Sequence, residues 1–331
     1  MGRTTTAMAV LLSLVAGSCI TFEKQTATFH YDTQRDKLLI FQVYEGIYGN
    51  TNKESLDETE INEMTSVLEG ERTFFFSNWI SEYDRAAVER LVKDLAVEAE
   101  QKDAKPEVVK AKQEALALAK LILENAKVEN GRFYMNSEQK LSGYQFVTLN
   151  NASKVVAQAN LCISAAVKAH PFADKPGENE LSVESAHLLR TAASKAHAWI
   201  TLDGSCIRAR MPLAYGDFLG IRKDWWAQKI EKAMAKAESR EQEMARVLRE
   251  AREFLLSDIW VSYVDHVVEI TLGDPSSRRA TVSSTLPDSA YKPNAIAFAR
   301  ERHGIAESVD LEKLKSEFFG PSGAPQKQSA Q

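Results

Sequence analysis

Apolar and polar residues alternate along several short stretches of the chain, which is the pattern of antiparallel β-strands. Thr21–Tyr31 and Lys37–Tyr44 are two such stretches, and a short polar link separates them. The second stretch, KLLIFQVY, is almost continuously apolar, so we expect this strand to be covered on both faces. Three further hairpins are predicted, for a total of about four: Arg132–Asn136 with Tyr144–Leu149, Ala198–Leu202 with Ser205–Met211, and His266–Leu272 with Arg278–Ser284.

Other stretches carry apolar residues at helical spacing. Asn150 or Asn151 is placed to cap one helix, and His170-Pro171 stops it. The longest pattern, Trp226–Leu256, predicts a helix that packs on its own domain. The predicted helices are 58–68, 85–102, 107–127, 152–169, 183–195, 226–256, 293–302 and 310–319, with a buried strand or tight turn at 73–80 and a helix connection near Asp103.

Together these elements predict an α+β protein, with an antiparallel sheet and long amphipathic helices packed on one face. We interpret residues 19–319 as one large domain. A loop at 173–180 (ADKPGENE) is the best position for a subdivision. The Gly-, Pro- and Gln-containing residues 320–331 are expected to be a disordered tail.

The first eighteen residues have the pattern of a secretory signal peptide. Arg3 provides a basic start, and small residues follow the apolar run Met8–Ala16. That run is about half the roughly 20 residues that a membrane span needs. The pattern therefore predicts export.

The segment Leu14-Val-Ala-Gly-Ser-Cys19 resembles the lipobox of bacterial lipoproteins. The resemblance covers this segment only, and Ala16 stands where the family usually has a larger apolar residue. It implies that a lipid is attached to Cys19 and that Cys19 becomes the first residue of the mature chain. Ile20 after the Cys implies an outer-membrane destination in a Gram-negative cell. Ala16 and Ser18 also fit an ordinary cleavage site, which would leave a soluble protein beginning at Cys19.

Composition excludes one class of partner. The net charge is −5, and it becomes −6 when Arg3 is removed with the signal. Nucleic-acid-binding proteins usually carry a basic excess on one face. We therefore expect a membrane partner through Cys19, and a protein or a small anionic ligand as the other candidates, but no nucleic acid.

Sequence motifs for catalysis, metal binding or cofactor binding are absent, so no catalytic residue, metal or cofactor is predicted. The six histidines are scattered, and Asp265 and His266 would point to opposite faces of a strand. With Cys19 lipidated, Cys162 and Cys206 remain. They could form a disulfide in an oxidising compartment, or they could be two separate buried thiols.

The Asp203-Gly204 turn gives the most specific site hypothesis. A two-residue turn pairs Thr201 with Cys206 and Trp199 with Arg208, and gives His197, Trp199, Arg208 and Arg210 a common face. Two arginines beside two aromatic rings could bind a small anion. The alternative is an ordinary solvent-exposed sheet face on which Arg208 stacks on Trp199.

The sequence thus favours an exported, lipid-anchored cell-envelope protein with a binding or structural role. A secreted or periplasmic enzyme, hydrolase-like and without a recognisable motif, is the alternative. A pocket with convergent titratable groups would favour the enzyme.

Overall fold

The computed structural model describes residues 20–51, 53–73, 83–100, 105–172, 181–203, 206–217, 259–272, 279–285 and 291–320. They form an α+β fold, as predicted. The strands are β1 (Ile20–Asp32), β2 (Lys37–Gly49), β3 (Ala126–Asn130), β4 (Phe133–Met135), β5 (Leu141–Asn150), β6 (Ile200–Asp203), β7 (Cys206–Pro212), β8 (Ile259–Val264), β9 (Val267–Leu272), β10 (Ala280–Thr285) and β11 (Ile305–Ala306). The helices are α1 (Glu58–Glu69), α2 (Arg85–Ala99), α3 (Pro106–Asn125), α4 (Ala152–Ala169), α5 (Val183–Ser194), a 3₁₀ turn (Pro293–Ala295), α6 (Ile296–Arg302) and α7 (Leu311–Phe319).

The strands are divided between two sheets. The larger sheet has seven strands, in the order β10-β1-β2-β5-β4-β11, with β3 also paired to β5. The smaller sheet has the order β6-β7-β9-β8. The pairings are antiparallel except that of β11 with β4. Leu202, Ile207 and Leu272 of the smaller sheet pack against a core cluster of the larger one, so the two sheets share apolar packing.

Three of the four predicted hairpins are confirmed, namely β1/β2, β4/β5 and β6/β7. The fourth is wrong, because β9 pairs with β7 and β8 while β10 pairs with β1 in the other sheet. The turn between β8 and β9 is Asp265-His266, whose φ values are +51° and +60°. These are turn conformations rather than strand conformations, and both residue types enter the left-handed region comparatively easily.

The central strand β2 is covered on both faces, as its apolar run predicts. Leu38 and Ile40 pack in a cluster with Val88 of α2 and Ile122 of α3. The alternate residues, including Phe41, pack under α7 on the opposite face. Consecutive strand residues point to opposite faces, so the long helices lie on one face and the short C-terminal helix on the other.

At Gly46, the alternation of side chains between the two faces of β2 shifts by one residue. Its φ is +70°, which suits glycine because a Cβ atom is disfavoured there. A Cβ at Gly46 would also meet the Glu23 side chain at 2.5 Å. Beyond it, Ile47 joins the same core cluster as Tyr44, three residues earlier. The strand therefore stays buried beyond Gly46, from Ile47 to Gly49.

Three glutamines are buried side by side on the face of the large sheet that packs against the long helices. Gln42 lies directly opposite Gln145, and its Oε1 accepts a hydrogen bond from Gln25 Nε2 at 3.1 Å. The hydroxyl of Tyr44 also donates to Gln42 Oε1. Gln145 Nε2 donates to Asn130 Oδ1 at 2.6 Å. Because burial disfavours the charged phenolate, the pKa of Tyr44 lies well above its ordinary value of 10.

Several predicted helix ends are confirmed, and one cap is chemically different. α4 begins after Asn151, but the Asn151 side chain does not cap it. Asp36 does so instead, since its carboxylate accepts hydrogen bonds from the Ser153 amide (2.8 Å) and hydroxyl (2.7 Å). The segments 74–80, the connection near Asp103, the loop 173–180, the helix 226–256 and the tail 321–331 lie outside the described residues.

The glutamine contacts generate a stability prediction. Gln42→Leu should lower the free energy of unfolding by more than Tyr44→Phe, because it leaves the buried amide of Gln25 and the hydroxyl of Tyr44 without this acceptor, at about 1–3 kcal/mol for each group. Tyr44→Phe removes one donor and leaves the Gln25 bond in place, so a loss of about 1 kcal/mol is expected. Equilibrium unfolding in urea measures both, and equal losses would contradict the assigned acceptor role of Gln42.

Candidate functional site

The register of the β6/β7 hairpin differs from the predicted one. Asp203 pairs with Cys206 and Thr201 pairs with Arg208, so the partners of β6 are displaced by two residues. A displacement of two residues keeps each side chain on its predicted face. The observed register sets Leu202 opposite Ile207 in the shared core, and it moves Asp203 onto the strand, where its carboxylate lies 2.8 Å from Arg208.

Trp199 is not beside Arg208. It is 4% exposed and packs among Leu189, Leu213 and Val268, and its indole N–H donates to Ser164 Oγ at 2.7 Å. The local reason is that Asn160 of α4 bonds both backbone groups of Ile200, at 2.8 and 3.0 Å. These bonds hold the start of β6 against α4, so the neighbouring indole turns into the core.

The two arginines do share a face, but each has a carboxylate neighbour. Arg208 contacts Asp203, and Arg210 Nε lies 3.3 Å from Glu269 Oε2. Glu269 is directly opposite Arg210 on β9, a strand whose pairing with β7 the sequence did not reveal. An anion would compete with these carboxylates for the guanidinium groups. The anion-binding hypothesis for His197, Trp199, Arg208 and Arg210 therefore stays a prediction, with one of its aromatic rings removed from the surface.

His197 lies at the edge of this region. Its ring stacks edge-on against Trp199, with 4.9 Å between the centroids. Nε2 is buried without a hydrogen-bond partner within the described structure. Burial lowers the pKa of His197 below 6.5; the charge of Arg210 lowers it too, while a hydrogen bond with the Arg210 backbone opposes both. The neutral ring is the form that this site favours.

This histidine makes stability depend on pH. The unfolded ring has a pKa of about 6.5 and binds a proton more readily than the folded ring, so its contribution is complete above that pH and is lost as pH falls below it. We expect His197→Gln to flatten the decline of the unfolding free energy between about pH 7 and 5. The exposed His187 provides the matched control, His187→Gln. Parallel pH profiles for wild type and His197→Gln would contradict the assignment.

The two thiols are separate in the structure. Cys162 is half-buried on α4, where burial raises the pKa of its thiol, and Cys206 is buried in β7. Neither forms a disulfide in this structure. The possible Cys162–Cys206 bond is therefore absent from this structure, which has instead the alternative of two separate thiols, one half-buried and one buried.

The start of β1 is the second region of interest, because it directly follows Cys19. Ile20 is 3% exposed and pairs with Gly49 at the end of β2. Its backbone N–H donates to Glu63 Oε2 of α1 at 3.2 Å. The residue next to the predicted lipidation position is therefore part of the core.

Polar contacts fix the chain around Gly49. Gly49 N donates to Asn294 Oδ1 at 2.9 Å, and Asn294 Nδ2 donates back to Gly49 O at 3.0 Å. Lys292 Nζ donates to the carbonyls of Asn50 and Thr51, at 2.9 and 3.1 Å. Both backbone groups of Gly49 and the two residues after it are thus tied to a segment some 240 positions later in the chain.

A buried glutamate completes this arrangement. Glu60 is fully buried, and its carboxylate accepts hydrogen bonds from the Thr51 amide (2.9 Å), the Thr51 hydroxyl (3.0 Å) and the Asp57 amide (2.9 Å). Asp57 in turn accepts from the Glu60 amide, which forms a capping box at the start of α1. Glu60 is thus buried although it lies in an acidic stretch of the sequence. Its spacing from Asp57 is the signal that could have identified it. We name Ile20, Gly49, Thr51, Glu60 and Asn294 the anchor end.

Gly49 is a sharp test of how tightly the anchor end is packed. A Cβ at this position would lie 2.5 Å from Glu60 Oε1 and 2.6 Å from Leu56 Cδ2. Gly49→Ala should therefore reduce stability by about 1–3 kcal/mol, as overpacking usually does. At Gly143 the nearest atom would be 3.4 Å away, so the control Gly143→Ala should change stability by less than about 1 kcal/mol. Equal melting temperatures for both variants would show that the anchor end accommodates the added methyl group and is not tightly packed.

Comparisons with known proteins identify no relative: no protein-family model, no curated protein and no solved structure matches the chain. Among the described residues, no group of three or more His, Cys, Asp or Glu side chains is placed to hold a metal ion. None of the helices within the described ranges is long and apolar enough to cross a membrane.

Proposed function

We propose that the protein is an exported cell-envelope protein, anchored by a lipid on Cys19, whose body has a binding or structural role. The observation that carries this proposal is the lipobox-like segment from Leu14 to Cys19, preceded by a basic start and a short apolar run. The signal peptide is residues 1–18, and the mature chain begins at Cys19. Ile20 in the next position favours the outer membrane.

Cleavage before Cys19 would keep Ile20 and all later described residues. Ile20 is buried in the core cluster that contains Tyr44. A cut a few residues further along would be different, because it would remove Ile20 and Phe22 from the core cluster that contains Tyr44.

Exposed aromatic side chains beside the smaller sheet support the binding role. Tyr215 is 56% exposed and packs on Tyr263 of β8, with 5.3 Å between the ring centroids. Tyrosine side chains are enriched at surfaces that contact other proteins. We therefore favour a protein partner over a small anion, because the arginines on the neighbouring face already contact carboxylates.

The anchoring is tested with the full-length gene expressed in a Gram-negative host. We expect the wild-type protein to partition into the detergent phase, with an intact mass equal to residues 19–331 plus lipid. Cys19→Ser should partition into the aqueous phase, because the acyl chains supply the membrane affinity. Cys162→Ser is the matched control and should behave like the wild type.

Two results would overturn the proposal in different ways. An intact N-terminus at Met1, recovered from membrane-free cytosol, would contradict export. A chain beginning at Cys19 without lipid, found in the aqueous phase, would instead indicate ordinary signal cleavage and a soluble secreted protein.

A further inference from the structure

We propose that the anchor end lies against the lipid surface and that the protein stands end-on from the membrane in a fixed orientation, without a flexible linker. This inference rests on the proposed lipid attachment at Cys19. The partner surface is the headgroup layer of the membrane in which the lipid inserts.

The first step is the length of the tether. Adjacent Cα atoms are about 3.8 Å apart, so a lipidated Cys19 lies within one peptide unit of Ile20. Ile20 is already buried and paired with Gly49. A membrane held at Cys19 is therefore held at the end of β1.

The second step is the rigidity of the attachment. The Ile20 amide is bonded to Glu63, and Gly49 is bonded in both directions to Asn294. Glu60 fixes Thr51 through two further bonds. These contacts hold Ile20 firmly within the body, so the freedom of the body relative to the lipid is confined to the single residue Cys19.

The third step excludes a sheet lying flat on the membrane. Both faces of β2 are covered, by α2 and α3 on one side and by α7 on the other. A helix with its side chains is about 10 Å across, whereas one residue of extended chain reaches at most about 3.6 Å. A flat sheet would lift Ile20 further from the lipid than its single-residue tether allows. In the end-on orientation, the opposite end of β1, at Asp32, lies about 40 Å from the surface at roughly 3.3 Å per residue.

The fourth step concerns charge. Lys53 and Glu54 are both exposed beside the anchor end, and Lys53 Nζ lies 3.6 Å from Asp57. The local charge is mixed, so the geometry of the tether, and not attraction to anionic lipid, sets the orientation. It should therefore persist at high salt and on uncharged membranes.

Fluorescence quenching by labelled lipid tests the orientation. In a Cys162→Ser background, the exposed Ser55 at the anchor end and the exposed Gln34 in the far turn are replaced singly, Ser55→Cys and Gln34→Cys, and labelled with a maleimide fluorophore. The lipidated full-length protein is reconstituted into phosphatidylcholine vesicles that carry a nitroxide on the headgroup. We expect several-fold stronger quenching at position 55 than at position 34, unchanged by salt.

A variant with an inserted linker tests whether the short tether, and not contacts between the protein surface and the membrane, sets the orientation. About ten Gly and Ser residues inserted between Cys19 and Ile20 should give a root-mean-square reach of roughly 17 Å and abolish most of the difference. Equal quenching at both positions in a protein whose mass confirms the lipid would overturn the orientation and leave the proposed function intact. A difference that survives the linker would also overturn it, because surface contacts would then set the orientation. Absence of the lipid itself would refute the proposed function instead.

Discussion

The pairing of β1 with β2 is the contact on which the other layers depend. It runs without interruption of register from Ile20–Gly49 to Asp32–Lys37. β10 adds to one side of this pair and β5 to the other, and helices cover both faces. Since a sheet that is buried on both faces cannot satisfy its backbone groups with water, the ladder itself must satisfy them.

The buried glutamines help to determine the register of the strands, which apolar packing alone does not specify. Alternation places side chains on a face, but it does not distinguish a correct register from one displaced by two residues. A displacement of two that sets Gln25 opposite Gly46 would keep Ala27 and Phe29 on the core face while separating Gln25 from Gln42. A buried amide without its partner is costly, so these hydrogen bonds disfavour that displacement. The hairpin of the smaller sheet illustrates the same problem: alternation placed Arg208 and Arg210 on one face, but the partners of β6 differ from the predicted ones by two residues.

Local sequence patterns therefore predicted the individual strands and helices better than they predicted which strands pair with each other. The α+β class, the β1/β2 and β4/β5 hairpins and the ends of α1 and α5 follow from periodicity and capping residues within a few positions. The β1–β10 pairing joins Thr28 to Thr281, and such distant pairs leave no local signal. β3 was missed because its polar sequence, AKVEN, reads as the end of a helix. For the candidate sites, the common face of Arg208 and Arg210 was predictable. The contact of Arg210 with Glu269 was not, because the strand that carries Glu269 was assigned to the wrong hairpin.

The position of β1 in the chain also links anchoring to folding. β10 completes one side of β1, and Asn294 holds Gly49, the β2 residue that pairs with Ile20. Both contacts close loops of roughly 250 residues. Contacts of such long range form late, because the entropy of loop closure opposes them until other contacts are made. On the proposed route, the N-terminus reaches the membrane while its partners are still emerging. On this proposal, Cys19 is anchored while β1 is paired with β2 but still lacks β10. The contacts of Asn294 and Lys292 with the residues around Gly49 form only after nearly the whole chain has been exported. The orientation of the body on the membrane would thus be acquired as the last step of folding rather than at the moment of lipid attachment.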